Sequence, residues 1–213
     1  DKSIKENLIL KSKNVFSFNG ILLYEPWEIK SKIGNPLKVF TPFKRALLHK
    51  GVDFIISKPP NSMQSPSVWP KTLNIDDLGL VKNKSWTSKF ANSWEPGSKT
   101  AKAKLISFKE NHIHEYDKDR DIPSVFGTSK LSPHLRFGEI SPKEIFIAMN
   151  DLEENDGVLT YKSEIIWREF AHNLLWYFPN IHNKPIKNEF SNFLWDNNQS
   201  NFELWTKGLT GYP

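Results

Sequence analysis

The pattern of hydrophobic and polar positions changes near residue 98, from short mixed segments to sustained helical periodicity. Residues 1–13 have the spacing of a short amphipathic helix. Its buried side is predicted to carry Ile4, Leu8 and Leu10. Residues 15–26 (VFSFNGILLYEP) place two apolar runs around an Asn-Gly pair, which predicts a β-hairpin. Residues 37–51 predict a strand leading into a helix that ends at Gly51.

Residues 52–95 show no sustained period and are rich in Pro, Ser, Asn and Lys, which predicts a long connector between domains. Its tryptophans indicate that it packs on something: Trp69, Trp86 and Trp94. Residues 98–115 then have apolar residues at helical spacing, among them Ala101, Leu105, Ile106 and Phe108. The first quarter of the chain therefore predicts α/β structure, and everything after about residue 98 predicts helices.

Two short helices are predicted from their caps. Ser132 and Ser141 each precede a proline, the combination of an N-cap serine with a proline at the first helical position. Ser141 with Glu144 completes a capping box, and Gly138 can end the helix before it.

Composition narrows the classes of function. The chain has 213 residues, a net charge of +5 and no cysteine. Disulfides, thiolate metal sites and cysteine nucleophiles are therefore excluded within these residues, and a reducing, cytoplasmic setting is expected. The positive charge suits a polyanionic partner but does not identify one. No apolar run reaches membrane-spanning length, so we expect no membrane association.

The segment GTSKLS at 127–132 is a candidate anion site. Hydroxyl groups of Thr128, Ser129 and Ser132 precede a helix, and Lys130 adds a positive charge. A diphosphate would suit this segment, although a well-capped helix start explains the same residues. It carries neither a Walker-type nor a dinucleotide-type glycine pattern.

The helical run SEIIWREFAHNLLWYF at 163–178 places Glu164, Trp167 and Arg168 on one face. The run is apolar nearly all round, which indicates burial, and buried charges need partners. Two interpretations remain open. The first is a mutual Glu164–Arg168 salt bridge with Trp167 as packing; the second is a pocket wall for a nucleobase. The histidines show no metal-binding spacing, so no metal site is predicted.

Four segments in order resemble the photolyase/cryptochrome family: KVFTPFKRA (38–46), EYDKDRDIPSVFGTSKLSPHLRFGEISP (115–142), SEIIWREF (163–170) and LWTKGLTGYP (204–213). The resemblance implies a mixed fold: a Rossmann-like α/β antenna domain, a long connector and an all-α FAD-binding domain. Residues 1–50 would end the antenna domain, 51–97 form the connector and 98–213 begin the FAD- and DNA-binding domain. Both chain ends suggest a piece of a longer protein.

The function that the resemblance implies is light-driven DNA repair. Such enzymes are carbon–carbon lyases that split cyclobutane pyrimidine dimers by electron transfer from excited, reduced FAD to a flipped-out dimer. A monomer acting on damaged DNA is expected. The antenna chromophore, folate or deazaflavin, cannot be read from these residues.

The resemblance also assigns residues. Contacts with FAD are implied for Tyr116, Thr128, Ser129, Lys130, Leu131, Ser132, Tyr161 and Arg168. Tyr161 departs from the tryptophan usual in the family. Glu164 matches the carboxylate that holds the dimer, Trp167 the aromatic wall of the dimer pocket, and Trp195 the outermost tryptophan of a photoreduction relay. Contacts with DNA are implied for Arg120 and for the helix segment Glu164, Ile165, Ile166, Trp167, Arg168, Glu169, Phe170 and Ala171.

Two other functions remain open. A cryptochrome would use the same fold as a photoreceptor without repair. A non-catalytic nucleic-acid-binding module would bind DNA regardless of damage, with a steep salt dependence and no need for flavin.

Overall fold

The computed structural model describes residues 2–16, 18–52, 54–56, 60–80 and 86–212. Helices make up the regular structure of this part of the chain. They are α1 (Lys2–Leu10), α2 (Phe40–Lys50), α3 (Thr87–Ser93), α4 (Ser98–Asn111), α5 (Tyr116–Asp119), α6 (Ser132–Arg136), α7 (Pro142–Asn150), α8 (Asp156–Tyr177) and α9 (Gln199–Thr206). Short 3-10 helices occupy Pro26–Glu28, Asp76–Leu78, Ile113–Glu115 and Asn188–Asn192.

The predicted α/β tail is wrong, because no described residue lies in a β-strand. In the segment predicted as a hairpin, 15–26, two backbone N–H groups donate to side-chain oxygens. The N–H of Leu22 donates to Asn19 Oδ1 at 3.0 Å, and the N–H of Leu23 donates to Glu169 Oε2 at 2.7 Å. These bonds take the place of a strand ladder. The all-helical prediction for the later part of the chain fits the structure.

The chain divides into two compact units, Asp1–Asn173 and Leu174–Pro213. The core of the first unit is formed by α2, α4, α7 and α8. Its buried side chains include Phe43, Leu47, Leu105, Phe108, Ile145, Phe146, Val158 and Ile166. In the second unit, α9 and the 3-10 helix before it carry aromatic side chains that are more than half exposed: Phe190, Phe202 and Trp205.

Helix α8 approaches the Ile113–Glu115 turn at a distance that only glycine permits. A Cβ atom on Gly157 would lie 2.2 Å from the carbonyl oxygen of Ile113 and 2.7 Å from that of His114. This contact fixes the separation between α8 and the turn that leads into α5. The side chains of Tyr116 in α5 and of Arg120, the residue that follows α5, therefore reach α8.

The predicted helix ends are mostly confirmed. Helix α2 stops at Gly51, whose φ of 105° disfavours other residues. The capping box of α7 is present, with Ser141 Oγ accepting from the N–H of Glu144 at 3.1 Å. Gly138 follows α6 with a φ of 70°. One detail was wrong: α6 begins at Ser132 itself, with Leu131 at the N-cap.

The predicted burial of α1 was also wrong. Ile4 is 62% exposed and Leu10 is 81% exposed. In the connector, Trp69 is 68% exposed, so it does not pack as expected. Trp94 does pack, since the ammonium of Lys104 on α4 lies 4.4 Å from its ring centroid. None of the helices in the described ranges is long and apolar enough to cross a membrane.

Candidate cofactor and substrate site

A cavity of about 700 Å³ in the first unit brings together residues from several separate parts of the chain. All the residues to which a cofactor contact was assigned line it: Tyr116, Thr128, Ser129, Lys130, Leu131, Ser132, Tyr161 and Arg168. Glu164 and Ile165 line it as well. The α5 region, the 127–132 loop and one face of α8 thus meet around a single volume.

Several lining residues were not predicted: Ile21, Trp94, Pro133, Leu135, Arg136 and His172. A signal existed for His172, which stands four residues after Arg168 and therefore one turn further along the same helix face. Ile21 and Trp94 come from segments without regular structure, where helical periodicity gives no guidance.

The 127–132 loop is held in shape by α8. The hydroxyl of Tyr161 donates to Ser129 Oγ at 2.9 Å. Burial raises the pKa of Tyr161 above its ordinary value, so the phenol stays neutral and remains a donor. Because Ser129 accepts this bond, its own hydroxyl proton can be given to a ligand. Lys130 has a φ of 54°, a left-handed conformation that non-glycine residues rarely adopt.

Aromatic side chains form one wall of the cavity. The rings of Tyr116 and Tyr161 meet edge to face with centroids 5.0 Å apart, and Phe108 lies 4.7 Å from Tyr161 behind them. Burial also raises the pKa of Tyr116. Both phenols therefore present neutral, flat surfaces near the anion-binding loop.

Glu164 pairs with Arg120 rather than with Arg168. Arg120 Nη1 donates to Glu164 Oε1 at 2.6 Å, and this bond raises the pKa of Arg120. Arg168 Nη1 instead donates to the carbonyl oxygen of Ile21 at 2.8 Å and to Glu169 Oε1 at 3.0 Å. The salt bridge between Glu164 and Arg168, one of the two interpretations, does not form.

Trp167 is not among the described residues that line the cavity. Its ring stacks on Phe40 of α2, with centroids 3.5 Å apart and planes 5° from parallel. It is nevertheless 45% exposed. Trp195 belongs to the second unit, where it is 74% exposed and meets Phe193 at 4.8 Å.

No group of three or more His, Cys, Asp or Glu side chains able to hold a metal ion occurs within the ranges that the structure covers.

Glu169, which follows Arg168 in α8, is a buried carboxylate with 3% of its surface exposed. It accepts the N–H of Leu23 and a guanidinium hydrogen of Arg168. Burial nevertheless raises its pKa from 4.5 to about 7. The folded protein therefore binds more protons than the unfolded chain between these two pH values, and its stability falls as the pH rises from 4.5 to 7.

We expect Glu169→Gln to remove this fall, which amounts to about 3 kcal/mol in the parent protein. Urea unfolding at pH 5 and pH 7.5 measures it. Glu110→Gln, at an exposed glutamate of α4, should keep the parent's pH dependence. An unchanged difference between the two pH values in Glu169→Gln would contradict the assignment.

Comparison with known proteins gives matches at both ends of the chain. Residues 161–213 match a sequence profile described as the FAD binding domain of DNA photolyase, and residues 1–64 match one described as DNA photolyase. The deoxyribodipyrimidine photo-lyase of Agrobacterium fabrum is 37% identical over 217 residues, which cover 100% of this chain and 45% of that protein.

The chain belongs to the photolyase/cryptochrome family.

Within the photolyase/cryptochrome family, the crystal structure of a bacterial class III photolyase from Agrobacterium tumefaciens superposes with a TM-score of 0.88 at 36% identity. The superposition covers 100% of this chain and 45% of the photolyase chain. Cryptochrome-2 of Arabidopsis thaliana is 29% identical, covering 100% of this chain and 37% of that protein. The chain spans less than half the length of these relatives.

Proposed function

We propose that this chain supplies flavin- and lesion-binding residues of a light-driven DNA repair enzyme that splits cyclobutane pyrimidine dimers. The observation that carries the proposal is the cavity in which the 127–132 loop, two neutral tyrosines and the Glu164 face of α8 converge. The similarity to photolyases supports the same reading.

The residues of the cavity fit FAD. Its volume of about 700 Å³ lies within the range of cofactor sites. At one end, Thr128, Ser129 and Lys130 offer hydroxyl and ammonium donors to a diphosphate. Elsewhere in the lining, Tyr116 and Tyr161 offer flat apolar surface to ring systems. Bound reduced FAD would supply the light-absorbing electron donor.

The chain's own groups orient this cofactor. Tyr161 fixes Ser129 through their hydrogen bond, so the hydroxyl of Ser129 is already aimed when a phosphate oxygen arrives. The usual tryptophan of the family has an N–H but no hydroxyl at this position, so the tie is particular to tyrosine. Arg168 is held by Ile21 and Glu169, which limits its motion at the cavity wall.

The pair of Glu164 and Arg120 suits a pyrimidine. Paired with the guanidinium of Arg120, the Glu164 carboxylate would accept the ring N–H of a flipped-out base. The guanidinium beside it supplies positive charge where a transferred electron would place negative charge. Arg120 would therefore serve the lesion through Glu164, in addition to the DNA-backbone contact first assigned to it.

The surface of α8 limits which residues can touch DNA. Four residues of the assigned segment are buried: Ile165, Ile166, Glu169 and Phe170. A DNA contact from this stretch would come from its half-buried or exposed members: Glu164, Trp167, Arg168 and Ala171. We further propose that the protein is monomeric and cytoplasmic. Residues 1–50 would be the end of the antenna domain, 51–97 the connector and 98–213 the first part of the FAD-binding domain. Trp195 would belong to a photoreduction relay.

A light-dependent repair assay tests the proposal. Protein expressed from the complete coding sequence is given reduced FAD and an oligonucleotide with one thymine dimer, in blue light and in darkness. We expect loss of the dimer in light only.

Two other results would each select a different function. Stoichiometric flavin without repair in light would indicate a cryptochrome-type photoreceptor, consistent with the similarity to cryptochrome-2. Equal affinity for damaged and undamaged DNA, steeply salt-dependent and independent of flavin, would indicate a non-catalytic binding module.

A further inference from the structure

Phe40 contacts Trp167, the residue assigned to the aromatic wall of the lesion pocket. The two residues lie more than 120 positions apart in the chain. The ring of Phe40 lies parallel to that of Trp167, with the planes 5° apart and the centroids 3.5 Å apart. That spacing is van der Waals contact, so the phenyl ring covers part of one face of the indole. Trp167 is still 45% exposed, which leaves other indole surface accessible.

The position of Phe40 is fixed by its packing against Phe170 of α8, which also contacts Phe43 of α2. It is the first residue of α2, and the next turn of that helix buries Phe43, which is 2% exposed. Phe170, one turn after Trp167 on α8, touches the rings of Phe40 at 5.9 Å and of Phe43 at 5.3 Å. The indole therefore rests on a packed cluster.

A second bond ties the same two helices together. Lys44 Nζ of α2 donates to Ser163 Oγ of α8 at 2.6 Å. Ser163 precedes Glu164, so the tie acts next to the carboxylate assigned to the lesion. Helix α2 thus contacts α8 at Ser163, next to Glu164, and at Trp167.

We propose that Phe40 is a positioning residue for lesion binding: it covers one face of Trp167, fixes the plane of the indole and leaves the opposite face for a flipped-out pyrimidine. The inference rests on the proposed function. When the indole is already held in place, stacking of a base on it does not have to order the indole side chain, so binding costs less conformational entropy. The contribution of Phe40 belongs to binding of the lesion in darkness, before any photochemistry.

The test measures dark affinity for a thymine-dimer oligonucleotide and for the same oligonucleotide without damage. Phe40→Ala, in protein from the complete coding sequence, should weaken lesion binding about tenfold and leave undamaged DNA binding and flavin content unchanged. Phe40→Tyr keeps the ring and should restore the parent affinity. Repair per photon at saturating lesion should change less than about twofold, because the defect lies in binding.

Phe90→Ala is the matched control. Phe90 is an exposed phenylalanine that also meets a tryptophan, Trp86, edge to face at 5.6 Å, in the connector. Its removal should leave lesion affinity unchanged. If Phe40→Ala fails to fold, Phe40→Leu keeps apolar volume without a flat ring and should still weaken lesion binding.

The outcomes separate the two proposals. Lesion preference in the parent protein with parent-like affinity in Phe40→Ala and Phe40→Leu would overturn the role of Phe40 only. Equal loss of affinity for damaged and undamaged DNA would also overturn it. Absence of any lesion preference in the parent protein would overturn the proposed function and this inference with it.

Discussion

Replacing Glu164 by alanine is expected to lower light-driven dimer repair about 100-fold at saturating lesion, with flavin still bound. The carboxylate stands at the edge of the cavity and is held by Arg120 at 2.6 Å. Its removal takes away the proposed acceptor for the base and the carboxylate that Arg120 contacts most closely. The measurement is repair yield per absorbed photon, together with the visible spectrum of bound flavin.

Two variants show whether the effect is specific. Glu164→Gln keeps a side chain of the same size that can hydrogen-bond but removes the charge, so it should retain more activity than Glu164→Ala. Glu110→Ala, at an exposed position of α4, should repair at the parent rate. Parent-like repair by Glu164→Ala would show that this carboxylate has no part in the reaction.

Replacing Gly157 by alanine is expected to destabilise the protein by about 3 kcal/mol, or to prevent folding. The added Cβ would meet the backbone oxygen of Ile113 at 2.2 Å and that of His114 at 2.7 Å. Both obstacles are backbone atoms, so no side-chain rotation relieves them, and α8 must move away from the turn before α5. Thermal unfolding should show a midpoint roughly 10 °C lower.

Gly20→Ala is the control for this substitution. An added Cβ at Gly20 would meet nothing within 4 Å, and we expect the midpoint to stay within about 2 °C of the parent. If Gly157→Ala folds, the displaced helix should also weaken flavin binding, since Tyr161 and Glu164 move with it. A stable Gly157→Ala protein with unchanged flavin affinity would contradict the close approach.

Local rules were sufficient where a segment satisfies its own backbone. The capping box from Ser141 to Glu144 and the end of α2 at Gly51 depend on residues within a few positions, and both could be predicted. The cavity was not predicted by local rules: its 127–132 loop and α8 residues were assigned from the resemblance to the photolyase/cryptochrome family, and Ile21, Trp94 and His172 were not predicted at all.

The same rules failed where partners lie far apart in the sequence. The Asn-Gly pair at 19–20 predicted a hairpin, but the N–H of Leu23 bonds to Glu169, 146 residues away. Glu164 and Arg168 have helical spacing for a salt bridge. Glu164 instead pairs with Arg120, and Arg168 donates to the carbonyl oxygen of Ile21. A single sequence contains no signal for either choice.

The bond between Leu23 and Glu169 also has a consequence for synthesis on the ribosome. Translation adds about 5–20 residues each second, so the segment around Leu23 is made roughly 7–30 s before its partner, which lies 146 residues later. During that interval Leu23 and Phe43, both buried in the finished fold, lack their contacts with Glu169 and Phe170 of α8. The segment around these two residues therefore spends this time with apolar side chains that a holding chaperone can bind.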